Sequence, residues 1–577
     1  MGMNPVVAAM LLQSMLERLE RQDGAPFASS LELAALRYGV SHLQGGLAEA
    51  QPASVSVVSI PPTAKVDESD EAELDTRDNL VVGKIASALV QGGDSQRPNE
   101  SDDLNEVNLN VASLGRSAPE LAGLTLCLDF GTAMSKACVA KGYGTPKELE
   151  LGVAAGYQGF LLPSTLFIST DGRMYFGQEA LDKENATGST THKRIDSIKS
   201  SISQWGPHTP DVDVAVLEPD VNPIASIRLT KGDAIRLYLA YFCDISSEAL
   251  GMQEQCPEES ARYVLRRYAR PCWPNLEQQR VADAKMREML EQAQILADTF
   301  RGEWFGGIAL GRLKQGLDKV RELGARPSYL IDVGIPEPVA VASGVVYDIE
   351  NARDAFMVVD AGAGTTDLGL FVMTKQGEEV TVHQVDKSIR GLMQAGDKVD
   401  ALLRAVIADR EGVDRGDAHG REVWDELTRR LRSLKETLFA KGELRYVLSD
   451  GTTGGLTKQE FLSDPRVVRF SQQIKDEFVR SLSDVDDTWL AWLARDPMRL
   501  KVVVTGGSSH LDMMQDLAKG VIDVRGFKIE RQPLDVVPGW VSDSPELKVA
   551  YPQLAVAIGG VNPDIPLVKT APGYLVR

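Results

Sequence analysis

Cysteine is scarce: the 577-residue sequence holds five, Cys127, Cys138, Cys243, Cys256 and Cys272, scattered without a Cys-x-x-Cys pair. That excludes a disulfide framework and a thiolate zinc site, leaving reduced, mostly buried thiols as the expectation. The six histidines, His42, His192, His208, His383, His419 and His510, are equally dispersed, so no His-based metal site is predicted. No stretch approaches the ~18 consecutive apolar residues of a membrane helix, and the N-terminus lacks the basic region and small-residue cleavage site of a signal peptide. A cytoplasmic chain without a membrane partner is expected. Positive charge is also in deficit, with Lys+Arg 62 against Asp+Glu 82 and a net charge of −20. Such a chain has no general electrostatic footprint for nucleic acid, so any polyanion must be held locally. What remains is ample: 43% hydrophobic residues for a large core, and the chemistry of acids, hydroxyls and glycines.

At ~150 residues per domain the length suggests three or four domain-sized units. Residues 4–22 carry apolar side chains at helical spacing, predicting an amphipathic docking helix in an N-terminal extension over 1–50. From 51 to 120 the composition turns polar, with seven acids and one Arg between Asp67 and Asp78. That stretch buries too little to offset its ordering entropy and reads as a flexible acidic linker. Compact structure is expected from Leu121, as one α/β lobe over 121–352 and a second over 353–562, followed by a tail over 563–577. LTLCLDF (124–130) and FMVVDAGAGTTDLGLFVM (356–373) share one design: a buried-type strand delivers an Asp, a Gly-containing turn follows, and an apolar run returns. A third unit, LKVVVTGGSSHLDMMQDLAKG (500–520), reads as strand, turn and amphipathic helix. Helices are predicted over 277–300, 311–323, 397–410, 421–441 and 465–494, and strands in LLPSTLFI and ELRYVL.

Glycine lets a backbone approach a phosphate chain closely, because it has no Cβ and tolerates positive φ. Gly131 and Thr132 in the first turn, and Gly362, Gly364, Thr365 and Thr366 in the second, supply amides and hydroxyls of that kind. Asp129, Asp360 and Asp367 stand beside them. Carboxylates next to phosphates repel them unless a divalent cation intervenes, which points to Mg²⁺ held largely through water. A single D-x-G turn is most often an ordinary hairpin; two of them with a Gly-Gly-Ser turn make the phosphate reading the better one.

DFGTAMSK (129–136), IPEPVAVASGV (335–345), DAGAGTTD (360–367) and VVVTGGSS (502–509) resemble the phosphate, connecting and adenosine motifs of the actin-like ATPase superfamily. The order of the blocks is most similar to the nucleotide-binding domain of DnaK-type heat-shock chaperones, over residues 121–562. The resemblance implies a duplicated, two-lobed α/β fold of ribonuclease-H type with ATP in the cleft between lobes. It implies that Asp129 and Asp360 hold hydrated Mg²⁺, that Asp367 helps to place the attacking water, and that Glu337, in the crossover between lobes, reaches the metal or that water. Thr132, with Ala133, and Thr365 and Thr366 would meet the phosphates, Thr365 exchanging a proton or hydrogen bond with the γ-phosphate. Lys199 resembles the lysine that stabilises charge on the γ-phosphoryl, with Lys193 as the other candidate. Gly396 and Asp397 correspond to the element that closes over the ligand; Lys435 to a ribose-contacting lysine; Gly506, Gly507 and Ser508 to the turn near sugar and α-phosphate. His510 stands where an arginine usually covers the adenine and could stack on a purine or cap a turn. Arg432, Glu436 and Asp397 depart from the usual residues at their positions.

After LAVAIGG (554–560) only 17 residues remain, too few for the chaperones' peptide-binding sandwich and lid. The function implied is a Mg-dependent, chaperone-like ATPase of slow intrinsic turnover that acts on or with a partner protein. The same motifs admit a filament-forming ATPase and a small-molecule kinase. The N-terminal extension and residues 297–323, which look inserted, are the candidates for partner binding.

Overall fold

The computed structural model describes residues 106–563 apart from 188–191, 204–209, 274–275, 346–352, 378, 536 and 543, all within the unit Thr76–Arg577. The predicted N-terminal helix, the acidic run and the tail from 564 lie outside the described residues.

The chain is mixed α/β, and its two large sheets repeat one pattern. The first comprises β1 (Leu124–Asp129), β2 (Met134–Lys141), β3 (Lys147–Glu148), β4 (Leu265–Arg270) and β5 (Ile331–Pro336), with the short strand Leu162–Pro163 also paired to β2. Their order is β3-β2-β1-β4-β5, with β1 and β2 an antiparallel hairpin and β4 and β5 added in parallel. The second comprises β6 (Arg353–Ala361), β7 (Thr366–Gln376), β8 (Glu379–Gln384), β9 (Leu500–Thr505), β10 (Gly520–Val524) and β11 (Phe527–Pro533), with the short strand Arg390–Leu392 also paired to β7. Its order is β8-β7-β6-β9-β11-β10, again a hairpin flanked by parallel strands, with β10 as an extra antiparallel edge. β1 and β6 occupy corresponding central positions. Both are almost wholly buried, which is why their sequences read as continuous apolar runs.

Eight helices matter to the argument: α1 (Lys231–Gln253), α2 (Leu276–Thr299), α3 (Leu310–Glu322), α4 (Glu337–Gly344), α5 (Gly396–Arg410), α6 (Ala418–Lys441), α7 (Pro465–Ser483) and α8 (Pro545–Gly560). α1 starts where Thr230 and Asp233 form a reciprocal capping box. α4 and α8 share one core with both sheets: Val339, Ala340, Leu554 and Ile558 lie among Cys127 and Ile335 of the first sheet and Phe356, Val358 and Val503 of the second. The helices cross at glycine. A Cβ on Gly344 would stand 3.2 Å from the Gly559 Cα, and one on Gly559 would strike the Ala340 carbonyl.

Several sequence expectations are corrected. The flexible segment expected to run to 120 stops short, because Val107 is buried, its N–H donates to Gln315, and Leu109 and Leu114 pack on the first core. Residues 304–323, read as inserted, are packed into the first core. Ile308 and Ala309 pair with strand Arg173–Phe176, and α3 buries Leu310, Leu313, Leu317 and Val320. The helix expected over 465–494 is two, α7 and Asp487–Leu493, because Asp486 caps a new start. The helix expected after the Gly-Gly-Ser-Ser turn is the stub Asp512–Gln515; the chain then bends into β10 at Gly520, whose φ of +76° suits glycine. No helix among the described residues is long and apolar enough to cross a membrane.

Candidate active site

The two hairpins end at one place. β1 delivers Asp129, whose register partner on β2 is Lys136, and the Lys136 Nζ lies 3.0 Å from Asp129 Oδ2. Between them Gly131 is obligatory, since a Cβ there would collide with the Met134 carbonyl. β6 delivers Asp360, whose partner on β7 is Asp367, and the turn is closed by Gly362 N–H donating to Thr365 O at 2.9 Å. A Cβ on Gly364 would stand 2.9 Å from both Oγ1 and Cγ2 of Thr132. The tips of the two turns therefore abut, although their sequences lie in opposite halves of the chain.

The third turn joins them because β9 runs parallel to β6, with Thr505 beside Asp360. Gly506 adopts φ +88°, and a side chain there would strike the Ala361 carbonyl and approach Asp360 Oδ1 to 2.5 Å. Ser508 N–H donates to Ala361 O at 2.8 Å, and the Ser508 hydroxyl donates to Gly362 O at 2.7 Å. From the start of α5, Gly396 N–H and Asp397 N–H donate to the carbonyls of Gly362 (3.3 Å) and Ala363 (2.8 Å). Lys435 of α6 reaches Asp400 at 2.8 Å and Gly396 O at 3.4 Å. Gly507 faces open space.

Charge is concentrated below these turns. Glu337, the first residue of α4, is buried and ion-paired with buried Lys199, whereas Lys193 is exposed and pairs with Asp220 at 2.8 Å. Only Lys199 of the two candidate lysines is at the site. Burial, with the charges of Glu337, Asp129 and Asp367, raises the Asp360 carboxyl well above the usual carboxylate range. Asp367 is pushed up to about 7 by burial and by Glu337, against the opposing pull of the Cys272 amide, Thr365 and Lys199. Cys272 N–H donates to Asp367 Oδ1 at 2.9 Å, while the buried Oδ2 has no hydrogen bond of ordinary geometry.

The consequence for stability has a definite sign. Below pH about 4 Asp367 is protonated in both folded and unfolded chains; between about 4 and 7 the unfolded chain loses its proton and the folded chain keeps it. Stability therefore falls as pH rises through that window, by a few kcal/mol. Asp367→Asn should flatten the fall in thermal midpoint from pH 4 to 7; an equally steep profile in the variant would refute the assignment.

A divalent cation suits this acid set in charge. Four mutually repelling buried carboxylates, Asp129, Asp360, Asp367 and Glu337, favour positive charge nearby. Yet among the described residues no group of three or more Asp, Glu, His or Cys converges closely enough to hold a metal directly.

The remaining predicted residues are placed as follows. Thr132 and Thr365 are buried at the tips. Ala133 accepts a backbone bond from Ser164 N–H at 3.0 Å. The Thr366 hydroxyl is committed to the Gln394 carbonyl at 2.9 Å, and that of Ser508 to Gly362, so neither is a free donor. His510 meets Phe439 edge-on at 6.5 Å, and burial with the nearby Lys435 lowers its pKa, favouring the neutral ring. Sequence reasoning gave no role to Lys136, the Cys272 amide or Ser197. Lys136 could have been found, since it stands across the hairpin from Asp129. The Ser197 hydroxyl, 2.9 Å from Asp397 Oδ2, could not, because the two are 200 positions apart. Arg432 reaches back to Met134 Sδ at 3.9 Å, a further link from α6 to the first hairpin.

No protein-family model matches the chain, and no curated protein matches it.

Proposed function

We propose that the chain is a Mg-dependent ATP-binding and hydrolysing switch of the two-lobed actin-like kind, chaperone-like in acting with a protein partner. The observation that carries this reading is the meeting of the two hairpin tips, Gly364 against Thr132, over buried Asp129, Asp360, Asp367, Glu337 and Lys199. The repeated strand order of the two sheets supports it. The hairpin tips and the Gly506–Gly507 turn face the phosphates; because Gly362 N–H, Gly506 N–H and Ser508 N–H already donate to Thr365 O, Pro552 O and Ala361 O, Gly507 is the residue of that turn whose amide binds a phosphate oxygen. Lys199, released from Glu337, places its ammonium against charge developing on the transferred phosphoryl group. Asp367, titrating near 7, accepts a proton from an attacking water at neutral pH. Asp129 and Asp360 are the carboxylates that would hold Mg²⁺, which when bound would offset phosphate charge. Entry of the nucleotide requires the contacts Gly364–Thr132, Ser197–Asp397 and Arg432–Met134 to part, with the glycine crossing of α4 and α8 as the pivot.

The test is nucleotide-dependent thermal stability. Mg-ATP should raise the unfolding midpoint, with stabilisation of about 2.7 kcal/mol at a hundredfold excess over Kd, and ATP with a chelator should give much less. No shift with any Mg-nucleotide sinks the reading.

A further inference from the structure

β10 is the outermost strand of the second sheet. β11 pairs with one side of it, and among the described residues no strand pairs with the other. Gly520, Val521 and Asp523 are exposed, Val521 at 61%. An exposed edge presents a row of unpaired N–H and C=O groups that can accept a further strand, and proteins usually blunt it with a charge or a proline on the strand. Here the strand Gly520–Val524 carries a single charge, the exposed Asp523, beside the aliphatic Val521 and Ile522.

Beside this edge, between β10 and α7, runs a groove of about 460 Å³. Val479 and Ile522 give it an aliphatic floor, and its charged lining is Lys475, Lys519 and Arg531 against the single acid Asp516. Among the described residues neither Lys475 nor Lys519 forms an ion pair. Arg531 spends its guanidinium on the carbonyls of Leu517 (2.9 Å), Lys519 (2.5 Å) and Gly520 (3.4 Å), leaving its charge uncancelled. A locally basic groove is unusual in a chain of net charge −20.

We propose that the free edge of β10 and this groove bind an extended, acid-flanked segment of a partner protein that carries aliphatic side chains at alternate positions. Main-chain hydrogen bonds to β10 hold it as an added strand, and the period of two turns every second side chain toward Val479 and Ile522. The acidic flanks meet Lys475 and Lys519 at the rim. A second copy of this chain is a poorer occupant, because a two-fold contact sets each basic groove against its own image. The surface is separate from the hairpin tips, so its test is independent of the nucleotide reading.

The experiment measures fluorescence anisotropy of a labelled short peptide, Val alternating with Thr between Asp-Glu flanks, against the full-length protein. Saturable binding is expected. It should weaken about tenfold or more in Lys475→Glu/Lys519→Glu, and vanish for the same peptide N-methylated at alternate residues, which removes its edge-pairing donors. No saturable binding, or loss caused by only one of the two changes, overturns the proposal. So does a concentration-dependent dimer, seen by sedimentation, that Val521→Glu dissolves. If the double variant does not fold, the N-methylated peptide still decides.

Discussion

Asp360→Asn should lower single-turnover ATP hydrolysis by a factor on the order of 10² to 10³ while the fold survives. Asp360 is the residue on which the site converges: it ends β6, lies across the hairpin from Asp367, has Thr505 beside it, and faces the space that Gly506 leaves open. Asparagine keeps its shape and removes its charge, so the repulsion among Asp129, Asp360, Asp367 and Glu337 eases. The variant should therefore be at least as stable as the parent at neutral pH. A catalytic role and a structural one separate cleanly, since loss of hydrolysis with an equal or higher thermal midpoint is the expected pair of results. Hydrolysis at the parent rate would remove Asp360, and with it the assigned site.

Lys199→Ala should be far more damaging to the fold. Its partner Glu337 has a side chain only 7% exposed, and truncating the lysine leaves that carboxylate buried without its cation, which destabilises by about 3–5 kcal/mol. In Lys199→Met/Glu337→Gln no charge is stranded, and most of that loss should return in urea unfolding. Hydrolysis should not return, because neither neutral side chain can offset charge on a phosphoryl group. If the double variant regains both stability and hydrolysis, the pair is structural and the catalytic role of Lys199 fails.

Much of this was legible in the chain itself. β1 and β6 are buried on both faces, so they appear as unbroken apolar runs, and each ends at an aspartate followed by glycine; such a signal is local and survives any tertiary context. The packed segment 106–120 was missed for the opposite reason. Val107, Leu109 and Val111 alternate with polar residues over only five positions, and the segment is held by partners some 200 positions away, Val107 by Gln315 of α3 and Asn110 by Thr299 of α2. Likewise the amphipathic pattern of α3 shows that one side is buried and not against what, so its packing on the first core was not legible.

By itself the sequence determined the strand-turn units, the glycines that their turns require and the supply of acids and hydroxyls around them. All of these follow from steric and hydrophobic rules acting over a few residues. Only the tertiary structure decided that Thr132 and Gly364 touch, that Lys199 and not Lys193 meets Glu337, and that Thr366 and Ser508 spend their hydroxyls on backbone carbonyls. It also decided that Asp367 lies deep enough, and near enough to Glu337, to hold its proton near neutrality. Desolvation and charge repulsion act through space between groups distant in the chain, and a list of neighbours along the chain does not contain them.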